Sequence, residues 1–118
     1  MKYDLLFDVR ARVRIANLCP DKKFENFGEL WTCAESDVIK NTLKVLKIMS
    51  NSAEYAKRKQ QGLEVNVDAD YNAIPLSEAD LYDMKSYEID ELQEEIVEVI
   101  KRDSTKTVEA KEGKKKAK

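Results

Sequence analysis

The period of the apolar positions changes along the chain, and each change marks an element. Tyr3, Leu5, Phe7, Val9, Ala11, Val13 and Ile15 alternate with Lys2, Asp4, Asp8, Arg10, Arg12 and Arg14, the period-two pattern of a half-buried strand. From Val9 onward a helix fits equally well. Val9, Val13 and Ala16 then share one stripe, and Ala11, Ile15 and Leu18 share the next. The pattern predicts a strand over residues 2–8 followed by a helix over 10–18, with one long strand over 3–15 as the competing reading. Cys19-Pro20 supplies the stop, because the residue before a proline avoids the α region.

Beyond the polar turn Asp21-Lys22-Lys23, the residues Phe24, Phe27, Leu30 and Trp31 form the aromatic face of a short helix. Such a face packs a core or anchors a partner. Thr32-Cys33-Ala34-Glu35 has capping-box spacing and opens a long helix over 35–60. There Val38, Thr42, Val45 and Met49 lie beside Ile39, Leu43, Leu46 and Ala53, with Lys40, Lys44 and Lys47 opposite. After Ser50 the apolar face fades, so the second half is expected to project from the body until Gly62 ends it. Leu63 to Asp68 alternates again and predicts a second strand, paired with the first because a lone strand leaves its backbone groups unsatisfied. Ser77 reads as the N-cap of a short helix ending near Met84, and Ser86 as the cap of a last helix over 87–102. Ile89, Leu92, Ile96, Val99 and Ile100 make its narrow apolar stripe, and Glu98 with Arg102 its i,i+4 ion pair. The expected fold is mainly α: a small helical domain with a long central helix, a short N-terminal strand or hairpin, and a disordered lysine-rich tail. Residues 1–108 form the domain and 109–118 the tail.

Length and charge sharpen this picture. A chain of 118 residues and 13.6 kDa has room for one core, and 37% charged against 42% hydrophobic residues suits a folded, water-exposed helical protein. The formal charge of −2 divides unevenly: Lys111 to Lys118 hold five lysines and one glutamate, +4, which leaves −6 on the 110 residues before them. Glu88, Asp90, Glu91, Glu94, Glu95 and Glu98 gather on the last helix, a solvated face or a docking surface for a basic partner, and one that repels phosphate. Nucleic-acid contact would fall to the lysine tail.

Candidate chemistry is sparse. The absence of histidine removes Ser-His-Asp and Cys-His nucleophile systems and imidazole zinc sites. The three glycines are isolated and no phosphate-cradling loop occurs. Asp68-Ala69-Asp70-Tyr71-Asn72 resembles the start of a calcium loop, but Ala73 and Ala79 stand where the EF-hand needs glycine and glutamate. Cys19 and Cys33 without a CxxC read as free, buried thiols. No apolar run approaches the ~20 residues of a membrane span, and Met1-Lys2-Tyr3-Asp4 lacks the apolar core of a secretory signal. The expectation is a cytoplasmic, non-catalytic protein with no metal and no cofactor.

Taken in order, Val13-Arg14-Ile15-Ala16-Asn17-Leu18-Cys19-Pro20-Asp21, Phe24-Glu25-Asn26-Phe27-Gly28-Glu29-Leu30 and Pro75-Leu76-Ser77-Glu78-Ala79-Asp80-Leu81 resemble the small tail assembly chaperones of long-tailed (siphovirus-type) phages and prophages of Gram-positive bacteria. Glu91-Leu92-Gln93-Glu94 and Asp103-Ser104-Thr105-Lys106-Thr107-Val108-Glu109 before the lysine-rich end extend the likeness. The resemblance implies a mainly helical protein of the host cytoplasm that coats the tape-measure protein, helps recruit tail-tube protein, and is absent from the mature virion. It also implies a longer frameshifted form in many such phages, and it carries over no catalytic residue. A homo-oligomer that wraps a long client fits the same role. The contact surface expected is Leu46 and Met49 of the central helix beside Leu92, Ile96 and Val99 of the last one, with interior packing as the alternative. Two other readings are a small nucleic-acid-associated regulator acting through its basic tail and a structural tail component.

Overall fold

The computed structural model describes residues 3–66, 71 and 74–105. The lysine-rich end and most of the acidic stretch around Asp68 and Asp70 lie outside those residues. Helices α1 (Val9–Ala16), α2 (Glu35–Gln60), α3 (Glu78–Tyr82) and α4 (Ser86–Ser104) carry the fold, with a 3-10 helix over Phe24–Trp31 between the first two. The expected mainly helical class with a long central helix is therefore what forms. Among the described residues there is no β-strand.

Local chemistry explains the boundaries. The Asp8 carboxylate accepts from Ala11 N at 2.9 Å and caps α1. Phe24, Phe27 and Leu30 recur every three residues, the repeat that a 3-10 helix stacks on one line. Glu35 starts α2 as expected, yet the predicted capping box is out of register. Ala34 occupies the N-cap, and the Thr32 hydroxyl donates to Glu29 O instead. At the other end Gly62, with φ +75°, lets Gly62 N reach Lys59 O and Leu63 N reach Arg58 O, which closes the helix as a Schellman turn. Ser77 and Asp80 form a reciprocal capping box on α3. Lys85, not Ser86, precedes α4; its N–H donates to the Glu88 carboxylate at 2.9 Å, and Ser86 is already helical.

Neither expected strand forms among the described residues, and the N-terminal segment meets its hydrogen bonds elsewhere. Residues 3–8 run extended beside α2 and α4 as a strap. Leu6 N donates to Met49 O at 3.1 Å, Tyr3 N to the Glu95 carboxylate at 3.2 Å, and Phe7 N to the Asp103 carboxylate at 2.9 Å. The Arg102 guanidinium donates to Leu5 O at 2.9 Å. The alternation was real: Leu5 and Phe7 are buried and Asp4 is exposed. What replaces the neighbouring strand is a helix carbonyl and three charged side chains. Leu63 to Asn66 is also irregular, with Leu63 exposed and Asn66 N donating to the Tyr71 hydroxyl; the end of that predicted strand lies outside the described residues.

The strap also corrects the reading of α2. Ser50, Asn51 and Ser52 are buried, so the helix stays against the body past Ser50 and emerges only near Lys57. Small side chains at Ser50 and Ala53 leave room beneath Tyr3 and Asp4, which is what lets an extended backbone come within hydrogen-bonding distance of a helix. Ile74 buries itself in the same place, and Tyr71 N donates to the buried Asn51 side chain. Below the strap, Ala11 and Ile15 of α1, Val45, Leu46 and Met49 of α2, and Leu92, Ile96 and Val99 of α4 form one hydrophobic cluster. The Gln93 amide donates to Thr42 Oγ at 3.3 Å and links α2 to α4 beside it.

Asp103 accepts from both Phe7 N and Arg102. Its carboxyl is held below the usual range, chiefly by the Arg102 hydrogen bond; desolvation opposes this, and the Phe7 N–H and the Arg102 charge assist it. A carboxyl depressed in the folded state stabilises above its unfolded value of about 3.9, and that stabilisation disappears as pH falls through the folded value. Asp103→Ala also strands the Phe7 N–H, at a cost of about 1–3 kcal/mol in urea unfolding at pH 7. Asp103→Asn, which keeps an acceptor, is expected to cost less. In both variants the loss of stability between pH 5 and pH 2 should be shallower than in the parent chain; an unchanged slope would mean that Asp103 contributes nothing to it.

Candidate partner groove beside helix α4

Helix α4 carries two stripes. Leu92, Ile96 and Val99, spaced four and three apart, face α2. Asp90, Glu94, Val97, Glu98 and Lys101, also at helical spacing, line a groove of about 670 Å³ whose other wall is Trp31. Trp31 reaches that position through a ladder of aromatic rings that starts on the strap. Phe7 and Phe24 lie 5.1 Å apart between centroids, Phe24 and Phe27 5.4 Å, and Phe27 meets Trp31 edge-on at 5.3 Å and 89°. Edge-to-face and offset packing at these distances is the favoured aromatic geometry. The indole is half-buried, with part of its surface on the ladder and part on the groove.

The groove therefore has an apolar floor and an acidic rim. Val97 is 37% exposed, the one large aliphatic of α4 that turns away from the core to this degree. Asp90, Glu94 and Glu98 are exposed along its length, against the single cation Lys101. Gln93 closes the floor and is fixed by its bond to Thr42. An apolar side-chain row flanked by positive charge, as on a basic amphipathic helix, would match such a surface.

The residues expected to meet a partner are elsewhere. Leu46, Met49, Ile96 and Val99 are fully buried and Leu92 is 2% exposed. All five fill the cluster between α2 and α4, so the groove expected between those two helices is occupied by its own side chains. The physical reason is simple: a narrow apolar stripe on each helix is just wide enough to bury the other. Trp31 was legible as one of two readings, core or partner anchor; it packs on Phe27, and the rest of its surface lines the groove. Val97 was missed. Its signal was an apolar residue among acids, outside the Leu92-Ile96-Val99 spacing.

Other candidate chemistry does not assemble. Among the described residues no group of His, Cys, Asp or Glu side chains is arranged to hold a metal ion. Both cysteines are free, but only Cys19 is buried; Cys33 is exposed, contrary to the expectation for both, because it lies in the turn before α2. Burial pushes the Cys19 thiol upward, with Asp21 and Glu29 adding to it. No helix of the described residues is long and apolar enough to cross a membrane. Neither a family model, nor a curated protein, nor a solved structure matches the chain.

The adjacent pair Ile96 and Val97 separates core from groove. Ile96→Ala is expected to cost about 2–5 kcal/mol in urea unfolding. Val97→Ala should cost less than about 1 kcal/mol. Equal losses at both positions would place Val97 in the interior and remove the groove floor.

Proposed function

We propose that the protein is a non-catalytic phage tail assembly chaperone that holds helical segments of the tape-measure protein in the groove beside α4. The observation that carries this reading is the pairing of Trp31 and Val97 on the floor with Asp90, Glu94 and Glu98 on the rim. A tape-measure protein is long and helical, and its apolar stripes need cover until tail-tube protein surrounds them. A shallow acid-rimmed groove offers cover that is weak and readily surrendered, because exposed ion pairs contribute little each and the apolar area is small. The order of sequence blocks that resembles these chaperones supports the same assignment, as does the mainly helical scaffold. In this reading the protein acts in the host cytoplasm during assembly, releases its client to the tail tube, and stays out of the finished virion.

Co-expression with a candidate phage tape-measure protein tests the proposal. The soluble fraction of the client should rise several-fold with the parent chain. It should fall back towards the client-alone level with Val97→Asp or Glu94→Lys/Glu98→Lys, substitutions at exposed positions that leave the core untouched. Equal client solubility with and without the chain would overturn the chaperone role, and so would recovery of the chain in stoichiometric amounts from purified virions.

A further inference from the structure

The acidic rim of the groove is unneutralised. Asp90, Glu94 and Glu98 recur every four residues along α4, and among the described residues none of them forms an ion pair. Like charges at that spacing repel one another, and the Trp31 and Val97 floor beside them leaves apolar surface in water. A ligand that brings several ammonium groups on aliphatic stems relieves both costs. A lysine lays its methylenes on apolar or aromatic surface and keeps its charge at the edge.

The sequence immediately beyond α4 has that chemistry. Residues 106–118 carry six lysines against two glutamates, with Val108 and two alanines as their apolar side chains. Thr105 has already left the helix: its backbone is extended, at φ −94° and ψ 125°, and its hydroxyl donates to Lys101 O at 2.8 Å. From that point the stretch of α4 back to Asp90 is about 22 Å, and thirteen residues of extended chain reach about 43 Å. The order of charges also agrees with an antiparallel course. Moving away from Thr105, α4 presents Lys101 first and then Glu98, Glu94 and Asp90, while the segment presents Glu109 and Glu112 ahead of Lys114-Lys115-Lys116.

We propose that, without a client, residues 106–118 run back along α4 and hold the groove of their own chain, so that a client enters by displacing them. The proposal rests on the groove being the docking site described above and names its occupant in the free chain. Each exposed ion pair contributes little. Attachment to α4 compensates, because a segment joined by so short a tether meets the groove at an effective concentration of about a millimolar. Screening by salt weakens the contact.

Carbodiimide coupling of the full chain at about 5 µM, where weak contacts between molecules are sparse, tests this with no client present. At low salt, peptide mass spectrometry should place most lysine–carboxylate links within one chain, between Lys114, Lys115 or Lys116 and Asp90, Glu94 or Glu98. At about 0.5 M salt they should disappear. Trp31 is the single tryptophan and reports the groove wall directly. Its quenching by acrylamide should rise at least about 1.5-fold in Lys114→Glu/Lys115→Glu/Lys116→Glu, once lysine stems no longer cover the indole. Glu94→Lys/Glu98→Lys should do the same, and combining the two sets should restore protection, with the parent circular dichroism throughout. Links spread over carboxylates elsewhere on the surface, links only between molecules, or Trp31 quenching unchanged by the lysine variant would each overturn the proposal. Since no client enters, its failure is distinguishable from failure of the chaperone assay.

Discussion

The fold depends on how the extended segment Tyr3 to Asp8 satisfies its backbone. An extended chain cannot pair its own N–H and C=O groups, and burying Leu5 and Phe7 takes those groups out of water. A second strand is the common remedy. Here the remedy comes from helices: Met49 O in the middle of α2, and Glu95, Arg102 and Asp103 on α4. Arg102 and Asp103 are adjacent in sequence and act together, one donating to Leu5 O and the other accepting from Phe7 N. An acid in the last turn of a helix opposes the helix dipole. Its bonds to Arg102 and Phe7 N offset that cost, and the first residues described are thereby tied to the last helix.

That tie reaches the surface through Phe7. Its ring begins the ladder that continues through Phe24 and Phe27 to Trp31, so the strap, the 3-10 helix and the groove wall form one packed series. Displacing the strap would withdraw Phe7 from the ladder and loosen the wall against which Val97 stands. The cluster beneath behaves likewise: Leu92, Ile96 and Val99 hold α4 against α2, and their burial is what turns Asp90, Glu94, Val97 and Glu98 outward. Core and groove are two faces of one helix. A sequence stripe that looks available for a partner has already been spent on the fold.

What the sequence disclosed, and what it hid, follows from the range of the interactions involved. Helical periodicity over Val38 to Met49 and Ile89 to Ile100 is local, and both helices appear where it places them, as do the Ser77 cap and the Gly62 stop. The alternation of Tyr3 to Phe7 correctly marked which side chains go inward. It could not reveal that the hydrogen-bond partners sit more than ninety residues away in Glu95 and Asp103, and so it was read as a strand. Thr32-Cys33-Ala34-Glu35 had the spacing of a capping box but the wrong offset from the helix, a matter of one or two residues that spacing alone does not fix. The groove escaped notice because it joins Trp31 to Val97 across sixty-odd residues, and an isolated valine among acids carries no periodicity of its own.

The proposed division of labour between floor and rim has a consequence for selectivity. Apolar contact with Trp31 and Val97 would supply most of the affinity, while the carboxylates set which flanks are accepted and how fast partners meet. A helix long enough to run the whole way from Asp90 to Lys101 would cover Trp31 and Val97 together and meet all three carboxylates, where a shorter one would reach only part of that surface. Length would thus be discriminated by the extent of contact, with no single contact of high affinity required.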